Sequence, residues 1–212
     1  MSWNGVTEVG RLGVFGGTFD PPHLGHLILA EEAYEQLGLE RVLWVLTPDP
    51  PHKQGQSVLA LEDRLQMLQV AISENPRFQL SRVDIDRPPP HYAVDTLRLL
   101  GSAYPQAELI YLIGGDSLRD LPTWHKPIEL LSRCAGLGVM RRPRDRIDLA
   151  ALEKAVPGIR AKTTFLAAPR LEISSSEIRQ RIAAGRSFRY FLPTGVYYLI
   201  RERRLYDYPN LG

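Results

Sequence analysis

Cysteine is nearly absent: the 212-residue chain has one, Cys134. A lone cysteine makes no internal disulfide and no thiolate metal cluster. It fits a reducing interior, where a buried thiol behaves as a small apolar side chain. Long apolar runs are missing too. No stretch of eighteen such residues occurs, and the first residues carry no basic-plus-apolar signal pattern, so neither a membrane span nor export is expected and cytoplasm is the expected compartment. Charge of one sign is scarce: 26 Lys and Arg against 24 Asp and Glu leave a net +2. That is too little to argue for a nucleic-acid or membrane partner. Internal repeats and low-complexity tracts are absent. So are a Ser-His-Asp arrangement of suitable order, a zinc-type spacing and a carboxylate pair suited to glycoside chemistry, and no protein-held metal is expected.

What remains is an ordinary globular composition, 44% hydrophobic and 24% charged. The length suits a single domain spanning 1–212 with a sizeable core. Nothing in it excludes a homo-oligomer.

The chain is organised around Gly13-Val14-Phe15-Gly16-Gly17-Thr18-Phe19-Asp20-Pro21-Pro22-His23-Leu24-Gly25-His26. Arg11 to Phe15 is a short, mostly apolar run that reads as a buried strand. Gly16 and Gly17 permit close backbone approach. Pro21 and Pro22 suit a helix entry. Leu24, Leu27, Ile28, Ala30, Ala33 and Leu37 then recur close to a 3.6-residue period. A helix N-terminus presents N–H groups and the positive end of its dipole to phosphate. His23 and His26, three apart, share one edge of that helix and can donate to phosphate oxygens. Each part alone has a plainer reading: a glycine pair is usually a turn, and two histidines are usually surface or core residues.

Arg41 to Leu46 is a second apolar run, which makes a βαβ unit with a parallel sheet. In such sheets ligands gather at the carboxyl ends of the strands. The proline-rich loop after Leu46 leads to Lys53, which can present a fixed positive charge. Leu59 to Ser73 reads as a helix, with Asp63 and Arg64 on its solvated side. Phe78 to Ile85 reads as a strand with an irregularity, and His91 to about Leu100 as a helix. Glu108 to Ile113 is the clearest buried strand; it ends in Gly114-Gly115-Asp116, where the aspartate can cap the next helix. Trp124 follows, beside His125 and Lys126. Ala135 to Met140 is a short strand, with Arg141 at its end opening a basic loop through Arg146. Leu149 to Ala161 reads as a helix and turn, and Thr163 to Ala167 as the last strand. Ser174, Ser175 and Ser176 cap a helix that carries Glu177 and Arg179. The fold class is α/β: a Rossmann-like parallel sheet with helices on both faces and a small C-terminal helical part, about 171–212.

The string Gly16 to His26 resembles the signature of the bacterial nicotinate-nucleotide adenylyltransferases, within the nucleotidyltransferase superfamily marked by a His-x-Gly-His motif. That motif alone also admits pantetheine-phosphate adenylyltransferase and glycerol-phosphate cytidylyltransferase. Pro51-His52-Lys53, Gly114-Gly115-Asp116 and Trp124 resemble the nicotinate enzymes, and Ile173-Ser174-Ser175-Ser176 with Arg179 resembles the ISSxxIR motif of the superfamily. Where the family reads S-Y-T-x-D-T-L, this chain keeps Tyr92, Asp95, Thr96 and Leu97 but has His91 and Ala93.

The resemblance implies transfer of the adenylyl group of ATP to nicotinate mononucleotide. His23, His26, Lys53 and Arg179 would be catalytic. Gly16, Gly17, Thr18, Phe19, Gly114, Asp116, Arg141 and Ser174 to Ser176 would meet ATP. Asp20, Tyr92, Thr96 and Trp124 would meet the mononucleotide, with the tryptophan stacked on its ring. Mg²⁺ would come with the substrate phosphates. The other readings are a pantetheine-phosphate adenylyltransferase-like enzyme and a non-catalytic nucleotide-binding regulator on the same fold.

Overall fold

Strand β1 (Arg11–Gly17) sends Leu12 and Val14 to one side and Phe15 to the other, and all three are buried. Strand β2 (Arg41–Leu46) does the same with Leu43 and Val45 against Val42, Trp44 and Leu46. Side chains alternate along a strand, so apolar residues at every position require cover on both faces. The structure, a computed structural model, describes residues 10–49, 58–141, 146–169 and 171–208.

Six strands form one parallel sheet in the order β3-β2-β1-β4-β5-β6. The others are β3 (Phe78–Ser81), β4 (Glu108–Gly114), β5 (Gly136–Met140) and β6 (Thr163–Phe165). Helices α1 (Leu24–Gln36) and α2 (Leu61–Ile72) cover one face, around Trp44, Leu46, Leu68 and Leu112. Helices α3 (Ala93–Ala103), α4 (Gly115–Asp120), α5 (Pro127–Arg133), α6 (Leu149–Ala155) and α7 (Ile159–Lys162) supply the other, around Leu97, Ile113, Leu130 and Val139. Helices α8 (Ser175–Ala183) and α9 (Thr194–Arg203) form a third apolar cluster with Met67 of α2.

This strand order reverses direction between β1 and β4, the place where doubly wound sheets open a crevice. The register shows how. β1 pairs with β4 only from Arg11–Glu108 to Val14–Tyr111. Beyond that, Gly16 and Gly17 stay with β2, while Leu112 to Gly114 go with β5. The two glycine turns therefore face each other across a gap.

Three expectations need correction. The strand from Phe78 stops at Ser81, where its pairing with Val45 of β2 ends. Arg82 to Asp86 instead form a turn, closed by a 2.9 Å bond from the Asp86 N–H to the Arg82 carbonyl. The helix and turn expected over Leu149 to Ala161 are two helices, parted at Gly158, whose φ of +88° a β-carbon would strain. Arg64 is not on a solvated side: it is 2% exposed. It lies three or four positions from Leu61, Met67 and Leu68, hence on the inward stripe of α2.

Candidate active site

A cavity of about 440 Å³ occupies the crevice. Gly16, Gly17, Gly114, Asp116 and Trp124 line it from the sheet side, and His23, His26, Ser174 to Ser176 and Arg179 line it from the helix side. A second cavity of about 210 Å³ adjoins it, bounded by Thr18, Thr47, His91, Tyr92, Ala93 and His125. Gly16, Gly17, Tyr111, Ser117 and Trp124 line both. The result is one cleft in two compartments, joined over the first glycine turn.

The turn needs its glycines for space. A β-carbon on Gly17 would sit 2.9 Å from the Phe19 ring, and one on Gly16 would sit 3.1 Å from the Tyr111 hydroxyl. Phe19 takes a left-handed φ of +47°. Its ring is held edge-on to Phe15 and His26 and tilted on Trp44, at 5.1–5.4 Å. That packing offsets the backbone strain, which for a bulky residue is of order 1–3 kcal/mol.

His23 is the extended residue at the N-cap of α1. Its backbone N–H donates to Nδ1 of His26 at 3.1 Å, and the two imidazoles stack with centroids 3.6 Å apart. With Nδ1 of His26 an acceptor, the proton of its neutral ring is on Nε2. A donor on that side of the ring suits an anionic oxygen. The glycine between the histidines has a steric reason as well. A β-carbon on Gly25 would meet Cε1 and Nδ1 of His23 at 3.1 Å and Ile173 at 3.7 Å.

Opposite α1, the start of α8 splits its three serines among three tasks. Ser174 caps the helix, accepting from the Glu177 N–H at 3.2 Å. Ser175 Oγ donates to the Pro21 carbonyl at 2.9 Å. Ser176 lines the larger cavity. Two helix N-termini, those of α1 and α8, thus border one cavity, and both attract phosphate. Arg179 donates to the Asp20 carbonyl oxygen at 2.7 Å, and its guanidinium lies 3.9 Å from the Asp20 carboxylate.

Several motif residues line neither cavity. Asp20, 2% exposed, accepts from the Tyr206 hydroxyl at 2.7 Å. Burial, reinforced by Asp20, holds that hydroxyl's pKa well above the usual tyrosine range. Thr96 is 3% exposed and donates to Asp84 at 2.8 Å. Phe19 is buried in the aromatic packing just described. Arg141 lays its guanidinium 4.5 Å over the Phe165 ring, next to cavity-lining Met140. Lys53, with its Pro51-His52 neighbours, and Arg142 and Arg144 lie outside the described residues.

Sequence reading missed three contributors. Tyr111 reads as one more residue of an apolar strand; its only signal is a hydroxyl in the run Glu108 to Ile113, yet it lines both compartments. Burial, with Asp84 adding to it, raises its pKa, so the hydroxyl stays a donor. His125 stacks on Tyr92 with centroids 4.1 Å apart. Arg64 donates to four carbonyls, those of Leu59, Thr18, Thr47 and Pro48, at 2.6–3.1 Å.

Among the described residues no group of three or more His, Cys, Asp or Glu is placed to hold a metal ion, and no helix is long and apolar enough to cross a membrane. A divalent ion here would lean on ligand phosphates, with Asp116 as the carboxylate at the rim of the larger cavity.

Fold and crevice together place the chain among proteins that hold a nucleotide at the switch point of a doubly wound sheet. Comparison narrows this. The cytidylyltransferase-like family model matches residues 14–181. Over 196 residues the chain is 47% identical to a probable nicotinate-nucleotide adenylyltransferase of Thermomicrobium roseum, covering 92% of this chain and 91% of that protein. A probable nicotinate-nucleotide adenylyltransferase of Thermus thermophilus is 44% identical, with 92% and 99% covered. Among solved structures, the nicotinic acid mononucleotide adenylyltransferase of Plasmodium falciparum complexed with NaAD superposes with a TM-score of 0.79 over 94% of this chain and 98% of that one. At 18% identity that match speaks for the fold alone. The chain belongs to the nicotinate-nucleotide adenylyltransferases of the cytidylyltransferase-like family, and it is a nucleotidyltransferase.

Proposed function

We propose that the chain joins ATP to nicotinate mononucleotide, giving nicotinate adenine dinucleotide and pyrophosphate, a step of NAD biosynthesis. The observation that carries this is the two-compartment cleft: a larger cavity bordered by two helix N-termini, His23, His26 and Arg179, opening over Gly16 and Gly17 into a smaller one walled by Tyr92 and Trp124. ATP takes the larger compartment and the mononucleotide the smaller. The relatives' names support this choice of substrates.

An oxygen of the mononucleotide 5′-phosphate attacks the α-phosphorus of ATP. A new P–O bond forms, the bond from that phosphorus to the α,β-bridging oxygen breaks, and pyrophosphate leaves with the electron pair. The attacking oxygen is already anionic, so no general base is needed. Catalysis then rests on alignment and on donors aimed at developing charge. His26 Nε2–H and His23 serve the α-phosphate and the leaving oxygen. Arg179, held by Asp20, neutralises the β- and γ-phosphates together with the N–H groups of Ser175 and Ser176. Lys53 adds a further cation. Mg²⁺, carried mainly by the phosphates, supplies Lewis-acid charge neutralisation when bound.

The α8–α9 part belongs to the same working unit, since Arg179 and Tyr206 both bond Asp20 of the catalytic loop. A cytoplasmic setting suits a buried free thiol and soluble substrates. Pyrophosphate release, measured with nicotinate mononucleotide, nicotinamide mononucleotide and phosphopantetheine in turn, tests the reading. Turnover with the first is expected. Preference for phosphopantetheine, or ATP binding without turnover on any of them, would overturn it.

A further inference from the structure

Beneath the smaller compartment lies a buried ionic cluster that the reaction itself does not use. Asp84 is 3% exposed. Its Oδ1 is 2.9 Å from Nη2 of Arg87 and accepts from Thr96 Oγ1 at 2.8 Å. Arg87 Nε donates to the same Asp84 oxygen at 3.0 Å, Nη1 donates to the Pro90 carbonyl at 2.7 Å, and Nη2 reaches both the Tyr92 carbonyl and Thr96 Oγ1 at 3.4 Å. The Arg87 carbonyl in turn meets Nε2 of His91 at 3.3 Å. One guanidinium therefore ties the loop from residue 87 to residue 92 onto a carboxylate and a hydroxyl anchored elsewhere, Asp84 in the turn after β3 and Thr96 in the first turns of α3.

None of Asp84, Arg87 and Thr96 lines either cavity, but the residues they fix, His91, Tyr92 and Ala93, do. Tyr92 is the extended N-cap of α3, so its placement sets where the first N–H groups of that helix point. It also sets the ring that stacks on His125. The charge is balanced inside the cluster, as a buried carboxylate requires.

We propose that Asp84, Arg87 and Thr96 are positioning residues for the mononucleotide: they pre-form the Tyr92–Ala93 wall of the smaller compartment and leave the ATP compartment untouched. This rests on the assignment of nicotinate mononucleotide to that compartment. A wall that must order upon binding weakens affinity, and displacement of a positioning group by about 1 Å can cost roughly a hundredfold.

The test is steady-state kinetics on the full chain with both substrates varied. Asp84→Asn keeps shape and removes charge; Thr96→Val keeps shape and removes the hydroxyl; Thr96→Ser keeps the hydroxyl. Arg82→Ala, in the exposed Arg82–Asp86 pair of the same turn, is the control. Asp84→Asn and Thr96→Val are expected to raise KM for nicotinate mononucleotide roughly ten- to a hundredfold, with KM for ATP unmoved. Thr96→Ser and the control are expected to keep a low KM. Should Asp84→Asn fail to fold, the valine and serine pair decides. Equal shifts in both KM values, or none, from an active wild type overturn the lock alone. A wild type that turns over no nicotinate mononucleotide overturns the function reading, and with it the role given to these residues.

Discussion

Arg64→Met removes the hub that joins three segments around the cleft. The guanidinium meets the carbonyls of Thr18 in the loop between β1 and α1, Thr47 and Pro48 after β2, and Leu59 before α2. A hydrogen bond to a charged donor contributes about 1.5–3 kcal/mol. Four do not add in full: the residues bearing the carbonyls are half-buried and regain some water, and methionine avoids the cost of burying a cation. That cost is real, since burial pulls the Arg64 pKa below its ordinary value while Asp20 and Tyr206 partly hold it up. The net expectation is a loss of about 3 kcal/mol. For a chain of this length that lowers Tm by roughly 6–12 °C. Arg64→Lys should fall between, because one ammonium cannot span four acceptors. Thr18 and Thr47 line the smaller compartment, so KM for the mononucleotide should rise as well. Urea melts and pyrophosphate release measure the two effects. A methionine variant within about 0.5 kcal/mol of wild type would refute the idea that this cation is structural, because surface substitutions give changes of that size.

Three further outcomes are expected. His26→Ala should lower turnover roughly 10²–10³-fold, as loss of one preorganised donor does, while the lost His23 N–H acceptor and Phe19 contact lower Tm by only about 2–4 °C; normal turnover would remove His26 from the mechanism. Gly25→Ala should fold but displace the His23 ring, since its β-carbon would approach that ring to 3.1 Å; a crystal structure with the histidine stack intact would show that the space is not needed. Burial pushes the Cys134 thiol up to about 11. The unfolded chain therefore releases that proton first as pH rises, so stability should decline between about pH 8.5 and 11. Cys134→Ala should flatten that decline in denaturation curves taken across the range.

The strand, glycine turn and helix around residues 11–36 were legible because each signal is local: apolar run, glycine pair, proline entry, helical period. The serines at the start of α8 were legible for the same reason. Arg64 was not, because a charged residue on a helix looks solvated until four carbonyls from distant segments are brought to it. Tyr111 was hidden by its strand. Asp20, Phe19 and Thr96 illustrate a different limit. A motif names residues that work together without separating those that face the ligand from those that hold the facing ones. Asp20 carries a charge in the loop between β1 and α1, which reads as a ligand contact, yet its carboxylate is covered by the Tyr206 hydroxyl.

That cover explains how Arg179, to which we assign the ATP phosphates, can be both fixed and available. Arg179 donates one bond to a carbonyl, and its nearest carboxylate, Asp20, is 3.9 Å away, longer than the 2.7–2.9 Å of a charge-assisted bond. A carboxylate in tight bidentate contact would compete with a phosphate for the same N–H groups. Here the Tyr206 hydroxyl takes one oxygen of Asp20, so the carboxylate orients the guanidinium by field without consuming its donors. The C-terminal turn that supplies Tyr206 does so at a positive φ of 62°, a conformation of order 1–3 kcal/mol above the relaxed backbone for a non-glycine residue. The buried hydroxyl–carboxylate bond offsets that strain, and the strained turn sets the position of the carboxylate that steers Arg179.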